Sequence, residues 1–146
     1  MVFFSLLPSL KSQTSFTRTY KFFSKVSDQA KKNFIKEFRQ IYNERWYEKE
    51  DGYRARFEDD GIRYMVDFDK KGNWINTIKN YDESRLDKQI GDAVKTAFLG
   101  FSIIHVTEIK MGKILTYLVK IEDRKMLKTV RVINGEIDLY EAYIKS

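Results

Sequence analysis

"YMVDFDKKGNWINT", residues 64–77, contains the pattern that decides the fold. Asp67 and Asp69 precede Gly72, a spacing that belongs either to a calcium loop or to a turn between two strands. A calcium loop of the EF-hand kind needs an oxygen ligand at its fifth position and a glutamate at its twelfth, where this sequence has Lys71 and Ile78. The flanking runs are rich in β-branched and aromatic residues. We therefore interpret the stretch as a β-hairpin in which residues 71–73 supply the positive-φ backbone.

The composition predicts one globular domain. The chain has 146 residues, of which 42% are hydrophobic and 15% aromatic, enough to bury a core. The absence of cysteine excludes disulfides, thiol nucleophiles and cysteine zinc sites. The net charge of +6 permits attraction to acidic partners, but charged residues of both signs make up 33% of the chain and favour an ordinary solvated surface.

The first residues differ from the rest of the chain. "MVFFSLLPSL" is apolar and "KSQTS" follows it, which resembles the core and exit of a secretion signal without its positively charged start. Residues 1–25 are interpreted as either a truncated or atypical signal segment or an apolar arm that packs on the domain. The run is too short to span a bilayer, so we expect no transmembrane span. If it is a signal, the protein is periplasmic or extracellular.

The hydrophobic periodicity occurs twice along the chain. Helical spacing over residues 27–42, with Ser27 as N-cap, gives way to four short strands with a period of two. Asp87 caps a second helix, and four more strands follow it. Phe34 and Phe38 correspond to Val94 and Phe98 at an offset of sixty residues, which indicates a duplicated unit. The predicted strands are 45–50, 53–59, 62–68, 74–80, 103–110, 114–122, 126–133 and 137–144.

These elements predict an α+β fold made of two tandem α-β4 repeats. The predicted domain spans 26–146, with repeat one at 26–84 and repeat two at 85–146. An antiparallel sheet of about eight strands should carry both helices on one face. Alternation places Trp46 and six residues of the next two strands beneath the helices: Tyr53, Ala55, Phe57, Tyr64, Val66 and Phe68. The residues predicted to be largely buried are Phe34, Phe38, Phe57, Phe68, Val94 and Phe98.

Two stretches, "RWYEKEDGYRARF" at 45–57 and "YMVDFDKKGNWINT" at 64–77, followed by a helix opening near Leu86, resemble the PepSY-like proteins of bacterial envelopes. The fold of that family is similar to that of the β-lactamase inhibitor protein. The resemblance covers about residues 26–144 and implies an exported, non-enzymatic protein of tandem helix-plus-four-strand repeats. The chain departs from the pattern where Asp87 replaces a proline and where "INGEI", 133–137, has no tryptophan.

The sequence offers no catalytic constellation. His105, the single histidine, lies in a predicted strand without a positioned partner, and the acidic run 58–60 is typical of a tight turn. No phosphate loop, nucleophile elbow or zinc-binding histidine pair occurs. We therefore predict no enzyme activity, no catalytic residue, no cofactor and no metal site.

The face opposite the predicted helices is cationic and partly aromatic. The candidate contact residues share one parity on three adjacent predicted strands: Arg45, Tyr47, Arg54, Arg56 and Arg63. Arginine and tyrosine anchor protein interfaces, so the first hypothesis is a binding or inhibitory module that contacts a protein or peptide. The alternative is a nucleic-acid or polyanion binder that uses the same residues. A solvated sheet face with no partner remains the third interpretation.

Overall fold

The computed structural model describes residues 25–146, and the predicted arm at 1–25 lies outside this range except for Lys25. Each half of the described chain forms one α-helix followed by four strands. A short 3-10 turn at Glu83–Arg85 separates the halves. The first half contains α1 (Asp28–Glu37), β1 (Arg45–Lys49), β2 (Gly52–Asp59), β3 (Ile62–Asp69) and β4 (Trp74–Tyr81). The second contains α2 (Lys88–Ala97), β5 (Ser102–Met111), β6 (Ile114–Glu122), β7 (Met126–Ile133) and β8 (Glu136–Ile144).

All eight strands form one antiparallel sheet whose strand order is the order of the chain. The two halves join where β4 pairs with β5, from Asn76 opposite Met111 to Tyr81 opposite Val106. The predicted α+β class and the predicted strands are confirmed, and most strand ends agree to within one residue. Since the sheet is continuous across the join, side chains from both halves share each of its faces.

The two helices begin in the same way. The Ser27 hydroxyl accepts a hydrogen bond from the Ala30 amide at 3.1 Å, and the Asp87 carboxylate accepts from the Gln89 amide at 2.8 Å. These caps satisfy amide groups that have no partner inside the helix. The predicted helix start is therefore confirmed in both halves.

The predicted end of the first helix is wrong. The helix ends at Glu37, not near residue 42, because Phe38 has φ −117° and ψ 58°, outside the helical region. This turn of the chain places the Phe38 ring 5.0 Å from the Phe57 ring, in an edge-to-face contact. Aromatic packing on the sheet thus accompanies the helix end, and hydrophobic spacing alone does not reveal it.

Two hydrophobic clusters lie between the sheet and the helices. In the first, α1 packs on β1–β3 through Phe34, Trp46 and Phe68, which are at most 2% exposed. In the second, α2 packs over the strands of the second half. Phe34, Phe57, Phe68 and Val94 are buried as predicted. Phe38 and Phe98 pack against the two clusters as predicted, but they are only half-buried because each stands at the end of a helix.

The hairpin between β3 and β4 confirms the turn interpretation of the opening stretch, with one correction. The prediction gives positive φ to all of residues 71–73. Only Gly72 has it, with φ +85°, so the prediction is wrong for Lys71 and Asn73. The Gly72 amide donates to the Asp69 carbonyl oxygen at 2.9 Å, and the Asp69 amide donates to the Asn73 carbonyl oxygen at 2.9 Å. A glycine satisfies the left-handed conformation that this three-residue turn requires.

The hairpin tip also touches α1. A Cβ atom built on Gly72 would lie 2.5 Å from the Ala30 amide nitrogen and 2.8 Å from the Ser27 hydroxyl. The Asn33 side-chain amide donates to the Gly72 carbonyl oxygen at 2.7 Å. The first turn of the helix is therefore held against the turn of the hairpin.

Glu44, just before β1, is a buried carboxyl group that forms no ion pair with another residue of the described range. It is 4% exposed, and its Oε2 atom has no hydrogen-bond partner among the described residues. Burial raises the pKa of Glu44 above its ordinary value because the charged form loses its hydration.

Candidate functional site

The five predicted contact residues lie on the helix-free face of the sheet. Arg45 stands directly opposite Arg56, and Tyr47 stands opposite Arg54, in the β1–β2 register. Arg63 is opposite Glu58 on the neighbouring pair of strands. Four of the five are exposed, and Arg54 is half-buried. The structure brings these residues together as the alternation predicts, and their role in binding stays a prediction.

Arg54 is paired with Asp67, a residue that the sequence pattern places only in the hairpin. Its Nε and Nη2 atoms donate to the two carboxylate oxygens of Asp67 at 2.6 and 2.7 Å. Lys49 lies 3.6 Å from the same carboxylate, which is buried, with Asp67 only 3% exposed. Arg54 is therefore a partner in a fixed ion pair, and its charge is largely satisfied inside the protein.

The charge state of Asp67 follows from this arrangement. Burial alone would raise the pKa of Asp67, but the hydrogen bonds and positive charges of Arg54 and Lys49 outweigh it and hold the pKa below its ordinary value. The carboxylate is consequently ionised at neutral pH and fixes the Arg54 guanidinium in one orientation.

Arg56 and Tyr47 form a second organised pair. The Arg56 guanidinium carbon lies 4.9 Å from the centre of the Tyr47 ring, within the range of a cation–π contact. Both side chains remain exposed, with Tyr47 at 42%. Arg56 and Tyr47 thus form a cationic and aromatic surface patch. The Arg56 guanidinium forms no ion pair with a described residue.

An apolar row crosses the middle of the same face. Met65 stands opposite Ile78, Ile78 opposite Ile109, and Ile109 opposite Thr116, which itself stands opposite Ile133. These side chains are half-buried although no helix of residues 25–146 covers this side of the sheet. We call Met65, Ile78, Ile109, Thr116 and Ile133 the apolar row. Next to it, Met111 and Ile114 are 53% and 56% exposed.

The row runs between two groups of opposite charge. At its β2 end, Arg56 stands opposite Met65, and at its β8 end, Glu136 stands opposite Ile133. Arg131 and Asp138 form an ion pair near the acidic end, with the guanidinium donating at 2.6 and 3.0 Å. The face is therefore apolar in the middle, cationic at one side and acidic at the other.

His105 belongs to a polar group on this face. Its Nε2 atom lies 3.1 Å from the Asn80 side-chain oxygen, which also accepts from the Thr107 hydroxyl at 2.9 Å. Burial, followed by the charges of Arg63 and Lys120, lowers the pKa of His105. Among residues 25–146, the imidazole is hydrogen-bonded to an amide and not to a carboxylate of the kind that orients a catalytic base, so it lines the face as a neutral polar group.

The carboxylates of the opening stretch have other partners. Asp69 accepts hydrogen bonds from the Asn73 amide at 2.9 Å and from the Asn73 side chain at 3.2 Å, while Asp67 is paired with Arg54. In residues 25–146, no three histidine, aspartate or glutamate side chains converge as a metal site needs. The two aspartates therefore act in the turn and in the ion pair.

The fold of the chain has known structural relatives. No protein-family model matches the sequence, and no curated protein matches it. Among solved structures, a BLIP-like protein from Bacteroides fragilis is 18% identical, with a TM-score of 0.65 over 82% of this chain and 86% of that one. The chain has a BLIP-like fold.

Two further structures share this BLIP-like fold. A DUF2874 family protein from Bacteroides ovatus is 17% identical, with a TM-score of 0.65 over 82% of this chain and 87% of that one. A protein from Bacteroides eggerthii, described as a "putative periplasmic" protein, is 14% identical, with a TM-score of 0.64 over 82% and 88%. Identities this low establish the fold alone. None of the helices within residues 25–146 has the length and apolar character to cross a bilayer.

The apolar row is not predicted from the sequence. Its members come from five strands in both halves, and they line up only because β4 pairs with β5. Alternation in each strand indicated which residues share a face, but not which ones are neighbours across the join. The arginines were found because three consecutive hairpin strands pair in chain order.

Proposed function

We propose that this protein is a non-enzymatic binding module that docks a protein or peptide on the helix-free sheet face. The observation that carries the proposal is the apolar row, which places half-buried methionine and isoleucine side chains in a face that none of the described helices covers. Contiguous apolar surface framed by polar residues marks protein interaction sites. The exposed Tyr47 and Arg56 next to it are residue types that carry binding energy in protein interfaces.

The apolar row favours a protein over nucleic acid. A polyanion site needs several free cations along a groove, whereas Arg54 is neutralised by Asp67 and the far side of the face is acidic. Inhibition of an enzyme by this face, export to the periplasm and membership of the PepSY-like family are parts of the same proposal. Their support is the BLIP-like fold, a relative described as periplasmic, and the resemblance of residues 45–57 and 64–77.

A photo-crosslinker placed at position 109 tests the proposal. Benzoylphenylalanine in place of Ile109, in the middle of the apolar row, should crosslink a protein of native cell extract. The same amino acid at Ala93, an exposed position of α2 on the other side of the sheet, is the matched control. Crosslinks of equal yield from both positions, or none from position 109, would contradict the proposal.

Substitutions then map the contact. Ile78→Thr with Ile109→Thr keeps β-branched residues in the strands and should weaken binding of the crosslinked protein at least tenfold, because apolar contact area is lost. Arg45→Gln with Arg56→Gln should weaken it less. Arg54 is unsuited to this test, because its removal leaves the buried Asp67 carboxylate without its bidentate partner and destabilises the fold. Binding that falls steeply with salt instead would favour the polyanion alternative.

A further inference from the structure

A polar seam divides the helix side of the sheet. The two hydrophobic clusters lie under α1 and α2, and between them the helix side of β4 and β5 carries Thr77, Lys79, Glu108 and Lys110. We call these four residues the polar seam. Its members are neighbours by register, since Thr77 stands opposite Lys110 and Lys79 stands opposite Glu108.

Part of the seam is fixed by internal contacts. The Lys79 ammonium lies 3.1 Å from one oxygen of the Glu108 carboxylate, and the Tyr81 hydroxyl donates to the other oxygen at 2.6 Å. The Glu108 side chain is only 15% exposed. Burial and this hydrogen bond raise the pKa of Tyr81, so the phenol stays a donor. Glu108 thereby holds Lys79 in place while the ammonium keeps further donor protons.

Above the seam lies a cleft of about 510 Å³, the size of a site for a small organic molecule. Its apolar lining comes from both layers of the protein. Trp74 is 38% exposed and donates its indole N–H to the Thr77 hydroxyl oxygen at 2.9 Å, so its rings remain as apolar surface. The other apolar lining residues are Phe38, Tyr64, Val66 and Phe68.

The polar lining of the cleft carries two ammonium groups and one carboxylate, and its neutral members are Asn33 and Thr77. Lys79 and Lys110 both line it, and Thr77 between them accepts from Trp74 and so keeps its own hydroxyl proton for donation. Within residues 25–146, no carboxylate forms an ion pair with Lys110. The single acidic lining residue is Glu37, which is exposed in the last turn of α1. Two ammonium groups and a hydroxyl, carried by the adjacent strands β4 and β5, thus line the same aromatic cleft.

We propose that this cleft binds an amphipathic carboxylate, with the apolar or aromatic body against Trp74 and the anionic head between Lys79, Lys110 and Thr77. Charge-assisted hydrogen bonds from the ammonium groups would fix the head, while burial of the body provides most of the affinity. The site lies on the opposite side of the sheet from the apolar row. Its occupancy is therefore independent of docking on the helix-free face.

The probe is 4-phenylbutyrate, with 4-phenylbutanol and 4-phenylbutylamine as neutral and cationic analogues of the same body. The chain has two tryptophans, of which Trp74 lines the cleft and Trp46 is 2% exposed beneath α1. In a proton–nitrogen correlation spectrum, the acid should shift the indole resonance of Trp74 saturably and leave that of Trp46 in place. The alcohol and the amine should bind at least tenfold more weakly than the acid.

Lys110→Gln should weaken binding of 4-phenylbutyrate about five- to tenfold, the effect of losing one charge-assisted hydrogen bond at a partly exposed site. Lys113→Gln, at an exposed position in the adjacent turn that does not line the cleft, is the matched control and should change nothing. The proposal is overturned if the acid gives no saturable shift, if the alcohol or amine binds as tightly, or if the two lysine variants behave alike. Retained binding in the Ile78→Thr, Ile109→Thr protein would separate this site from the docking face.

Discussion

Gly72→Ala should destabilise the protein more than the same change at the corresponding turn of the second half. Gly72 has φ +85° and lies against α1, whereas Gly135 has φ +79° and no atom within 4 Å of an added Cβ. The left-handed conformation costs an alanine about 1–2 kcal/mol at either position. Only at Gly72 does the new methyl group also collide with the Ala30 amide nitrogen, at 2.5 Å.

The extra cost at Gly72 comes from contacts that must open to admit the methyl group. The Asn33 hydrogen bond to the Gly72 carbonyl oxygen is worth about 0.5–1.5 kcal/mol. The Ser27 cap, whose hydroxyl would be 2.8 Å from the methyl carbon, is worth about 0.5–2 kcal/mol. We therefore expect Gly72→Ala to lower the free energy of unfolding by about 2–5 kcal/mol, and Gly135→Ala by about 1–2 kcal/mol.

Urea denaturation followed by circular dichroism measures both values under the same conditions. The difference between the two variants isolates the contact between the hairpin and the helix, since the conformational cost is common to both. Equal losses, within about 0.5 kcal/mol, would refute the view that this turn docks on α1. A larger loss for Gly135→Ala would refute it as well.

Three further changes test the core and the buried charges. Phe68→Ala should lower the free energy of unfolding by about 3–5 kcal/mol. Phe98→Ala should lower it clearly less, because Phe98 is half-buried. Equal losses of stability in urea denaturation would contradict the assigned core. Asp67→Asn should lower the free energy of unfolding most at neutral pH. Because the pKa of Asp67 is lowered in the folded protein, the ionised carboxylate stabilises the fold fully above the ordinary carboxyl pKa, and this stabilisation is lost as pH falls through the lowered pKa. The difference from wild type should therefore shrink in acid, and a pH-independent difference would be inconsistent with the ion pair. Glu44→Gln should raise the free energy of unfolding at neutral pH. Burial raises the pKa of Glu44, so the folded state favours the neutral carboxyl group, and the stability that this group contributes is lost as pH rises through the raised pKa. A less stable variant would show that the carboxylate has a partner.

The elements of the fold could be predicted from the sequence because their signals are local. Strand alternation, glycine-containing turns and the caps at Ser27 and Asp87 each depend on a few consecutive residues. The end of α1 could not be predicted, since apolar spacing continues beyond Glu37 to Ile41. It depends on Phe38 packing against Phe57 and Tyr64, contacts made between separate elements.

The candidate site could be predicted only in part. Parity places Arg54 and Asp67 on the same side of adjacent strands, but the local pattern around Asp67 indicates only a metal ligand or a turn residue. Their pairing depends on a register in which the two residues stand directly opposite each other. Prediction of the apolar row also requires the pairing of β4 with β5, which is not local in the sequence. The charged residues on a face can thus be predicted from the sequence, whereas the ion pairs that neutralise them depend on the register of the strands.

The strand order has a consequence for how the molecule forms and opens. Because every strand pairs with its neighbours in the chain, each pairing within a half closes a short loop, and only the β4–β5 pairing closes a longer one that contains α2. Contacts between residues close in the chain are associated with fast folding. The two apolar clusters are separate, so the halves form two units that meet along the β4–β5 ladder. Native-state hydrogen exchange should then show the edge strands opening first and two groups of protected amides with different opening energies. A chain built this way can lengthen by copying a half, since the last strand of one copy presents the edge on which the next copy begins.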